Sequence, residues 1–261
     1  MKTTLITGAS GGIGEEFARS LAARGDNLLL VARSRDKLAA LCDELKSRHE
    51  IDAQFVALDL SKEDAPQRLF DETTARGLEV ELLINNAGFG SLGEFTDFAP
   101  ERDMEMIDLN VKALVALTHL FIRPMRERRR GDIINVASTA AFQAVPLMAT
   151  YAATKAFVLS FSEAVRQENQ RFGINVLALC PGSTDTNFFA VAGTDTPPAK
   201  ITQTPAAVVE TALRALERRQ GHVVSGWGNF LLVEVGRFAP RSLAARIAGR
   251  IMQQRYMHRQ S

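Results

Sequence analysis

Several residue types that would assign the chain to a special class are scarce. There are two cysteines in 261 residues, Cys42 and Cys180, and their wide separation argues against a disulfide scaffold. No apolar run approaches the ~18 residues of a membrane-spanning helix, and the N-terminal residues lack the layout of a signal peptide. We therefore expect a protein of the reducing cytoplasm.

The sequence also lacks the residue groupings that a metal site or a serine hydrolase would require. The histidines His49, His119, His222 and His258 are scattered along the chain, so no metal site is expected. Ser138 has no recognisable His and Asp partners, so serine hydrolysis is not expected. The formal net charge of +1 gives no reason to expect nucleic acid as a partner.

The chain does contain a regular alternation of strand and helix patterns, which predicts right-handed crossovers and a parallel sheet. No linker or repeat interrupts it, so residues 1–261 are predicted to form a single domain. Its core is 1–225, a mobile flap covers the site at 183–205, and a basic helical extension occupies 226–261. The predicted strands are Lys2–Thr7, Asn27–Arg33, Ile51–Leu60, Glu81–Asn85, Asp132–Ala137, Gly173–Cys180 and Gly221–Ser225.

A glycine-rich segment lies between the first strand and the first helix. Glycines there let the backbone turn tightly and approach a pyrophosphate, and a helix N-terminus supplies N–H donors and the positive end of its dipole. An ordinary glycine loop is the alternative, although the position between strand and helix favours a nucleotide site. The residues assigned to it are Gly8, Ser10, Gly11, Gly12, Ile13 and Gly14.

The end of the second strand bears on which dinucleotide would bind. An acid there would bind the adenosine ribose 2′-hydroxyl, whereas an arginine would bind a 2′-phosphate. The sequence has Arg33 followed by Ser34, and a guanidinium can donate two hydrogen bonds to phosphate oxygens. This favours NADP(H) over NAD(H). The nearby Asp36 argues against a bound 2′-phosphate, and the alternative is that Arg33 is simply a solvated arginine at a strand end.

Tyr151 and Lys155 stand four residues apart in a helical pattern, so both side chains lie on one face. An ammonium ~4 Å from the phenol would favour the phenolate by roughly 4 kcal/mol at an effective dielectric near ~20. That corresponds to a pKa lowered by about three units, from about 10 toward neutrality. Such a phenol could act as a general acid or base. The alternative is an unrelated surface pair.

Together these motifs resemble the short-chain dehydrogenase/reductase family over Lys2–Ser225, in its NADP-preferring bacterial branch. The resemblance implies an α/β, Rossmann-like, doubly wound fold. It has a seven-stranded, mainly parallel sheet with helices on both faces, here followed by the C-terminal helical extension. The motifs are Thr7-Gly8-x-x-x-Gly12-x-Gly14, Asn85-Asn86-Ala87-Gly88, Asn110, Ser138, Tyr151-x-x-x-Lys155 and Pro181-Gly182.

The resemblance also implies roles for individual residues. Tyr151 would give its proton to a substrate carbonyl, Ser138 would polarise that carbonyl, and Lys155 would lower the pKa of the tyrosine and bind the nicotinamide ribose. Asn110 would hold a water in a proton relay, and Asp59 would meet the adenine amino group. The remaining cofactor contacts would come from Leu60, Asn86, Ala87, Gly88, Pro181, Gly182 and Thr184.

The expected activity is NADP(H)-dependent reduction of a ketone or aldehyde to an alcohol, or the reverse, on a small and apolar substrate. The alternatives are a catalytically idle nucleotide-sensing module and a membrane-associated lipid or 3-oxoacyl reductase. The family resemblance also implies a homo-oligomer, either dimer or tetramer. The predicted pocket walls are Leu92, Phe95, Phe142, Val145, Met148, Phe188 and Phe189.

The C-terminal segment departs from the family pattern. From Val235 to Ser261 it contains six arginines and no acid. Leu243, Ile247 and Ile251 form an apolar stripe at helical spacing. Docking of this stripe on the domain or on a partner subunit is the preferred interpretation, and weak contact with an anionic membrane surface is the alternative.

Overall fold

The computed structural model describes residues 1–186, 188 and 202–257. Seven strands form one sheet in the order β3-β2-β1-β4-β5-β6-β7, and all adjacent strands are parallel. The predicted fold class is therefore confirmed. The strands are β1 Lys2–Thr7, β2 Leu28–Ala32, β3 Ala53–Ala57, β4 Glu79–Asn85, β5 Gly131–Val136, β6 Ile174–Cys180 and β7 His222–Val224.

Helices cover both faces of the sheet. The apolar helical pattern over Pro100–Glu127 is divided into α4 and α5 by a π-helical segment, Asp108–Ala113. The helices are α1 Gly12–Ala22, α2 Arg35–Arg48, α3 Ala65–Ala75, α4 Pro100–Ile107, α5 Leu114–Glu127, α6 Ala149–Asn169, α7 Pro205–Glu217, α8 Trp227–Arg237 and α9 Arg241–Met257.

Continuous apolar strands account for the layered core. Every residue of β2 and of β6 is buried, as expected for parallel strands covered on both faces. Alternate side chains enter opposite cores, since Leu28 and Leu30 pack with Phe17 on one face. Leu29 and Val31 pack into the core on the other face. The two helical layers therefore hold the sheet between them.

The strand order creates a crevice at one edge of the sheet. From β1 the chain proceeds outward to β2 and β3, then returns to place β4 on the other side of β1. The connections on the two sides of this switch point lie on opposite faces, which leaves an opening beyond the carboxyl ends of β1 and β4. The glycine-rich segment and Ser138 both follow strand ends at this edge.

The C-terminal extension consists of two helices, α8 and α9, and the prediction did not separate them. Ala248 and Met252 of α9 are buried, whereas Leu243, Ile247 and Ile251 are exposed. The predicted stripe itself therefore does not pack on the domain, whereas the adjacent Ala248 and Met252 do. Docking of the stripe on a partner subunit stays a prediction. Across the described residues, no helix has the length and apolarity to cross a membrane.

Candidate active site

A cleft of about 770 Å³ opens at the carboxyl edge of the sheet. It brings together all but two of the predicted site residues; Gly14 and Asn110 lie behind its wall. The predicted residues that line it are Gly8, Ser10, Gly11, Gly12, Ile13, Arg33, Ser34, Asp59, Leu60, Asn86, Ala87, Gly88, Ser138, Tyr151, Lys155, Pro181, Gly182 and Thr184.

The glycine-rich segment forms a tight turn into α1. Gly8 has φ of +67°, and a Cβ there would approach within 2.9 Å of the Ala87 Cα. A Cβ at Gly14 would collide with the Gly8 carbonyl oxygen. The helix begins at Gly12 with Gly11 as a cap that offers no side-chain hydrogen bond. The first N–H groups of α1 are thus available for an anion, which fits a dinucleotide pyrophosphate.

Thr7 and Asn86 fasten this turn to the loop after β4. The Thr7 hydroxyl oxygen accepts hydrogen bonds from the backbone N–H of Asn86 at 2.9 Å and of Ala87 at 3.0 Å. The Asn86 amide nitrogen donates to the carbonyls of Thr7 at 2.9 Å and Gly8 at 3.2 Å. Asn86 lines the cleft as predicted, and it also holds the two loops that flank the crevice.

The basic end of the cleft lies after β2. Arg33 is exposed and its guanidinium lies 4.0 Å from the Glu105 carboxylate, so this weak surface pair leaves it available for a phosphate. Lys37, in the first turn of α2, also lines the cleft. It was not predicted from the sequence, although a lysine so soon after Arg33 was a usable signal of a basic site.

Asp59 lies across the cleft from the glycine turn. Burial acts to raise its pKa, but hydrogen bonds from Ser61 together with the charges of Arg33 and Lys62 outweigh burial and hold the pKa below its ordinary value. The Ser61 hydroxyl donates to Asp59 at 2.8 Å, and the Ser61 backbone N–H donates at 3.1 Å. The carboxylate therefore stays ionised at neutral pH and can accept hydrogen bonds in the cleft.

The predicted pair on α6 lies at the centre of the cleft. Tyr151 and Lys155 are both buried. The Lys155 ammonium donates to the Val136 carbonyl at 2.7 Å, which anchors it to the end of β5. It lies 5.8 Å from the centroid of the Tyr151 ring. The two side chains share one face, as the four-residue spacing predicts.

The prediction that the pKa of Tyr151 is lowered is wrong. Burial raises the pKa of Tyr151 to about 12, partly offset by a hydrogen bond with Ser138. Burial lowers the pKa of Lys155 to about 8. Charge attraction alone would lower the pKa of Tyr151, but desolvation of both groups outweighs it. At neutral pH the phenol is protonated, and the lysine is still mostly an ammonium.

Ser138 reaches the site because it immediately precedes a short 3₁₀ turn, Thr139–Phe142, at the end of β5. Its hydroxyl oxygen accepts a hydrogen bond from the Ala140 N–H at 3.1 Å. This hydrogen bond orients the Ser138 side chain, and interaction with Ser138 acts to lower the pKa of Tyr151. A carbonyl oxygen placed between them could accept from both.

Asn110 occupies the π-helical segment and is 1% exposed. Its side chain accepts from the Phe89 N–H at 3.1 Å and donates to the Phe89 carbonyl at 3.0 Å and to Thr154 at 3.1 Å. A Cβ added at Gly88 would lie 2.8 Å from Asn110 Oδ1 and 3.6 Å from Lys155 Nζ. Asn110 thus borders the lysine and fastens the loop after β4 to α6.

The predicted apolar walls are only partly correct. Val145, Met148 and Phe188 line the cleft, and Phe188 packs on the Tyr151 ring with centroids 5.3 Å apart. Three other assignments are wrong because neighbouring side chains face different regions, and that of Phe189 is untested. Leu92 is fully buried in the core and Phe95 is exposed; Phe142 packs against His222; Phe189 lies outside the described residues.

The C-terminal helices contribute a wall of the cleft that was not predicted from the sequence. The run from Asn229 to Val233 is apolar and free of proline, which was a usable helix signal. Its arrangement opposite the glycine turn depends on tertiary packing and leaves no local pattern. The overlooked residues of this wall are Asn229, Leu232, Val233, Ala248, Ile251 and Met252.

Comparison with known proteins agrees with this geometry. A family model described as short chain dehydrogenase matches residues 2–196. The very-long-chain 3-oxoacyl-CoA reductase of Macaca fascicularis is 31% identical over 233 residues, which cover 85% of this chain and 73% of that protein. The rat protein of the same name is 34% identical over 68% of this chain, but only 57% of its own length is matched.

A solved structure gives the same result for the fold. A short-chain dehydrogenase from Sphingobium yanoikuyae in complex with NADPH superimposes with a TM-score of 0.82 and 30% identity, covering 91% of this chain and 94% of that one. The family match spans most of the chain and includes the glycine turn, Ser138, Tyr151 and Lys155. The chain belongs to the short-chain dehydrogenase/reductase family of oxidoreductases.

Proposed function

We propose that the protein reduces an apolar ketone or aldehyde to the alcohol with NADPH, or catalyses the reverse oxidation. The observation that carries the proposal is the convergence of Ser138, Tyr151 and Lys155 in a cleft that also contains the glycine turn. These side chains can bind a carbonyl oxygen and supply its proton beside a dinucleotide. When bound, the nicotinamide supplies or accepts the hydride.

Tyr151 and Ser138 would act directly on the substrate oxygen. With its pKa raised to about 12 by burial, Tyr151 holds its proton at neutral pH and can donate it as negative charge develops on that oxygen. Ser138 would donate a second hydrogen bond to the same oxygen. The Lys155 ammonium would then stabilise the phenolate that remains, since opposite charges attract strongly in a buried cleft.

The cofactor preference rests on the basic end of the cleft. Arg33, Ser34 and Lys37 line it after β2, and two cations with a hydroxyl suit a ribose 2′-phosphate. We therefore propose NADP(H) over NAD(H). The glycine turn would hold the pyrophosphate, and the ionised Asp59 would accept from the adenine amino group.

The protein is further proposed to be a cytoplasmic homo-oligomer, either dimer or tetramer, as is frequent in the family. An idle nucleotide-sensing module receives less support. Tyr151, Lys155 and Ser138 are all present in the cleft, and a protein that only senses nucleotide has no need of them.

A second candidate is the reduction of a 3-oxoacyl thioester. It is favoured by the name of the Macaca fascicularis relative and by the apolar wall that Leu232, Val233 and Met252 add to the cleft. An acyl chain could lie along this wall while its 3-oxo group meets Ser138 and Tyr151.

Initial rates of NADPH oxidation with a panel of carbonyl compounds test both candidates. The panel compares apolar ketones and aldehydes, 3-oxoacyl thioesters of increasing chain length, and polar sugars. We expect turnover of the apolar compounds and little turnover of sugars. A kcat/KM that increases with acyl length would select the thioester candidate, and no turnover of any carbonyl would contradict the proposed activity.

A further inference from the structure

An unusually apolar surface covers the outside of the C-terminal helices. On α8, Trp227 is 73% exposed, Val235 is 70% exposed and Phe238, just after the helix, is 90% exposed. Their spacing places them on one side of the helix, where Trp227 stacks on Phe230 with ring centroids 5.6 Å apart. We call the following exposed residues the apolar face: Trp227, Phe230, Leu231, Val235, Phe238, Leu243, Ile247 and Ile251.

The charge around this face is mostly positive. Arg237, Arg241, Arg246 and Arg250 are exposed on the same two helices, and no acid occurs from Val235 to the end of the sequence. The acid of α8, Glu234, lies 3.3 Å from Arg237 and is paired with it. Because the whole chain has a net charge of only +1, its positive charge is concentrated beside the apolar face.

The apolar face is continuous with the rim of the active-site cleft. Leu232 of α8 and Ile251 of α9 are exposed, and both also line the cleft. Val233 and Met252, beside them, are buried and form the wall within. An apolar molecule bound at the apolar face would therefore lie beside the apolar rim of the cleft.

We propose that the apolar face binds to the surface of a bilayer that contains anionic phospholipids. Large exposed apolar side chains would enter the interfacial layer, and the flanking arginines would meet the lipid phosphates. A second copy of this chain fits less well, because two such faces would bring eight arginines of the same sign together. Neither helix needs to span the membrane for this contact.

The tryptophan of this face offers a direct measurement. The chain contains one tryptophan, Trp227, so the intrinsic fluorescence of the full-length protein reports on the apolar face. The protein is titrated with vesicles of phosphatidylcholine alone and with vesicles that also contain phosphatidylglycerol, and bound protein is measured by sedimentation. We expect a blue shift and at least tenfold tighter binding to the anionic vesicles, weakened by salt.

Double variants test whether the apolar face and its flanking arginines are required for vesicle binding. Val235→Glu combined with Phe238→Glu should reduce vesicle binding at least tenfold, and so should Arg246→Gln combined with Arg250→Gln. Met104→Glu is the matched control, because Met104 is an exposed apolar residue on α4 that is not part of the apolar face. It should leave vesicle binding unchanged.

Three outcomes would overturn the proposal. The first is a wild-type protein that does not bind anionic vesicles, and the second is variants that bind as well as wild type. The third is a dimer, detected by light scattering, that Val235→Glu with Phe238→Glu dissociates, since the face would then be covered by a second copy. Circular dichroism of the variants distinguishes lost binding from lost fold.

One consequence rests on the proposed function. If apolar substrates enter through the rim, Val235→Glu with Phe238→Glu should retain turnover of a water-soluble ketone and lose turnover of a substrate embedded in vesicles. Vesicle binding is measured without substrate, so a wild-type protein that fails to bind would contradict the membrane proposal alone. A wild-type protein that binds vesicles but turns over neither the soluble ketone nor the embedded substrate would contradict the proposed activity alone.

Discussion

At the scale of single residues, Tyr151 and Lys155 are two ionisable groups that are buried. Burial raises the pKa of the phenol and lowers the pKa of the ammonium to about 8, because it favours the neutral form of each group. The lysine remains mostly charged at neutral pH because its pKa still lies above 7. The cost of keeping this cation buried is a measurable property of the folded protein.

Comparing wild type with Lys155→Met at several pH values measures that cost. A folded-state pKa of about 8 against an unfolded value near 10.5 means that, between these values, the unfolded chain binds a proton that the folded protein has released. Stability conferred by Lys155 should therefore rise with pH by about 3 kcal/mol across this window. Urea unfolding at pH 7 and pH 11 tests this, and a constant difference between the proteins would contradict it.

Arg33→Asp should reverse the preference at the basic end of the cleft. We expect NADPH binding to weaken about 10–100-fold, because a charge-assisted hydrogen bond is lost and a repulsive carboxylate is introduced. NADH binding should change little. Isothermal titration measures both, with Arg35→Asp as the control, because Arg35 lies over the Phe55 ring and does not line the cleft. Equal losses for both nucleotides would contradict the assignment of Arg33.

At the scale of elements, the π-helical segment between α4 and α5 gives Asn110 its position. The extra residue in the turn interrupts the regular helix at a point that faces the loop after β4, and such insertions occur often at functional sites. The Asn110 side chain satisfies both backbone groups of Phe89. These groups are buried and would otherwise lack partners.

Asn110→Ala should therefore destabilise the protein by about 2–4 kcal/mol, since each buried group left without a partner costs about 1–3 kcal/mol. Asn27→Ala is the matched control: Asn27 also binds two backbone groups, the Asp52 N–H and the Lys2 carbonyl, but it is only half-buried. Water can replace its bonds, and we expect a loss of about 1 kcal/mol or less. Equal losses in urea unfolding would contradict this account of Asn110.

Elements whose formation depends on a local sequence pattern were predictable from the sequence. Features that depend on tertiary packing were not. The buried strands β2 and β6, the glycine turn and the Thr204 cap of α7 follow from periodicity and residue type; the Ala207 N–H donates to the Thr204 hydroxyl at 3.3 Å. The π-helical segment has no such pattern. The helical period also could not decide which face of α9 would pack, because Leu243 and Ala244 belong to adjacent apolar stripes.

At the scale of the whole molecule, the switch in strand order determines where the site forms. Residues separated by more than a hundred positions, such as Gly8 and Tyr151, meet because parallel strands end at one edge. The fold, the glycine turn, Ser138, Tyr151 and Lys155 were predictable from motif spacing, whereas Lys37 and the wall contributed by the C-terminal helices were not. The direction of the tyrosine pKa shift was not, because desolvation depends on the complete cleft.

Because the cofactor would contact both sides of the switch point, its binding should stabilise the whole domain. At a hundredfold excess over Kd, NADPH should add about 2.7 kcal/mol, which raises the Tm by about 5–10 °C for a protein of this size. Calorimetric scans with NADPH, NADH and no nucleotide measure this. An equal shift with NADH, or none with NADPH, would contradict the proposed cofactor.

Proton donation by Tyr151 is the central claim, and replacing one oxygen atom tests it. The chain contains two tyrosines, and the Tyr256 hydroxyl donates a hydrogen bond to Asp97 at 2.9 Å. Tyr256→Phe therefore serves as the matched control. We expect Tyr151→Phe to lower kcat for carbonyl reduction at least 100-fold while NADPH affinity and fold are retained, and Tyr256→Phe to keep wild-type turnover. Undiminished turnover by Tyr151→Phe would contradict the account.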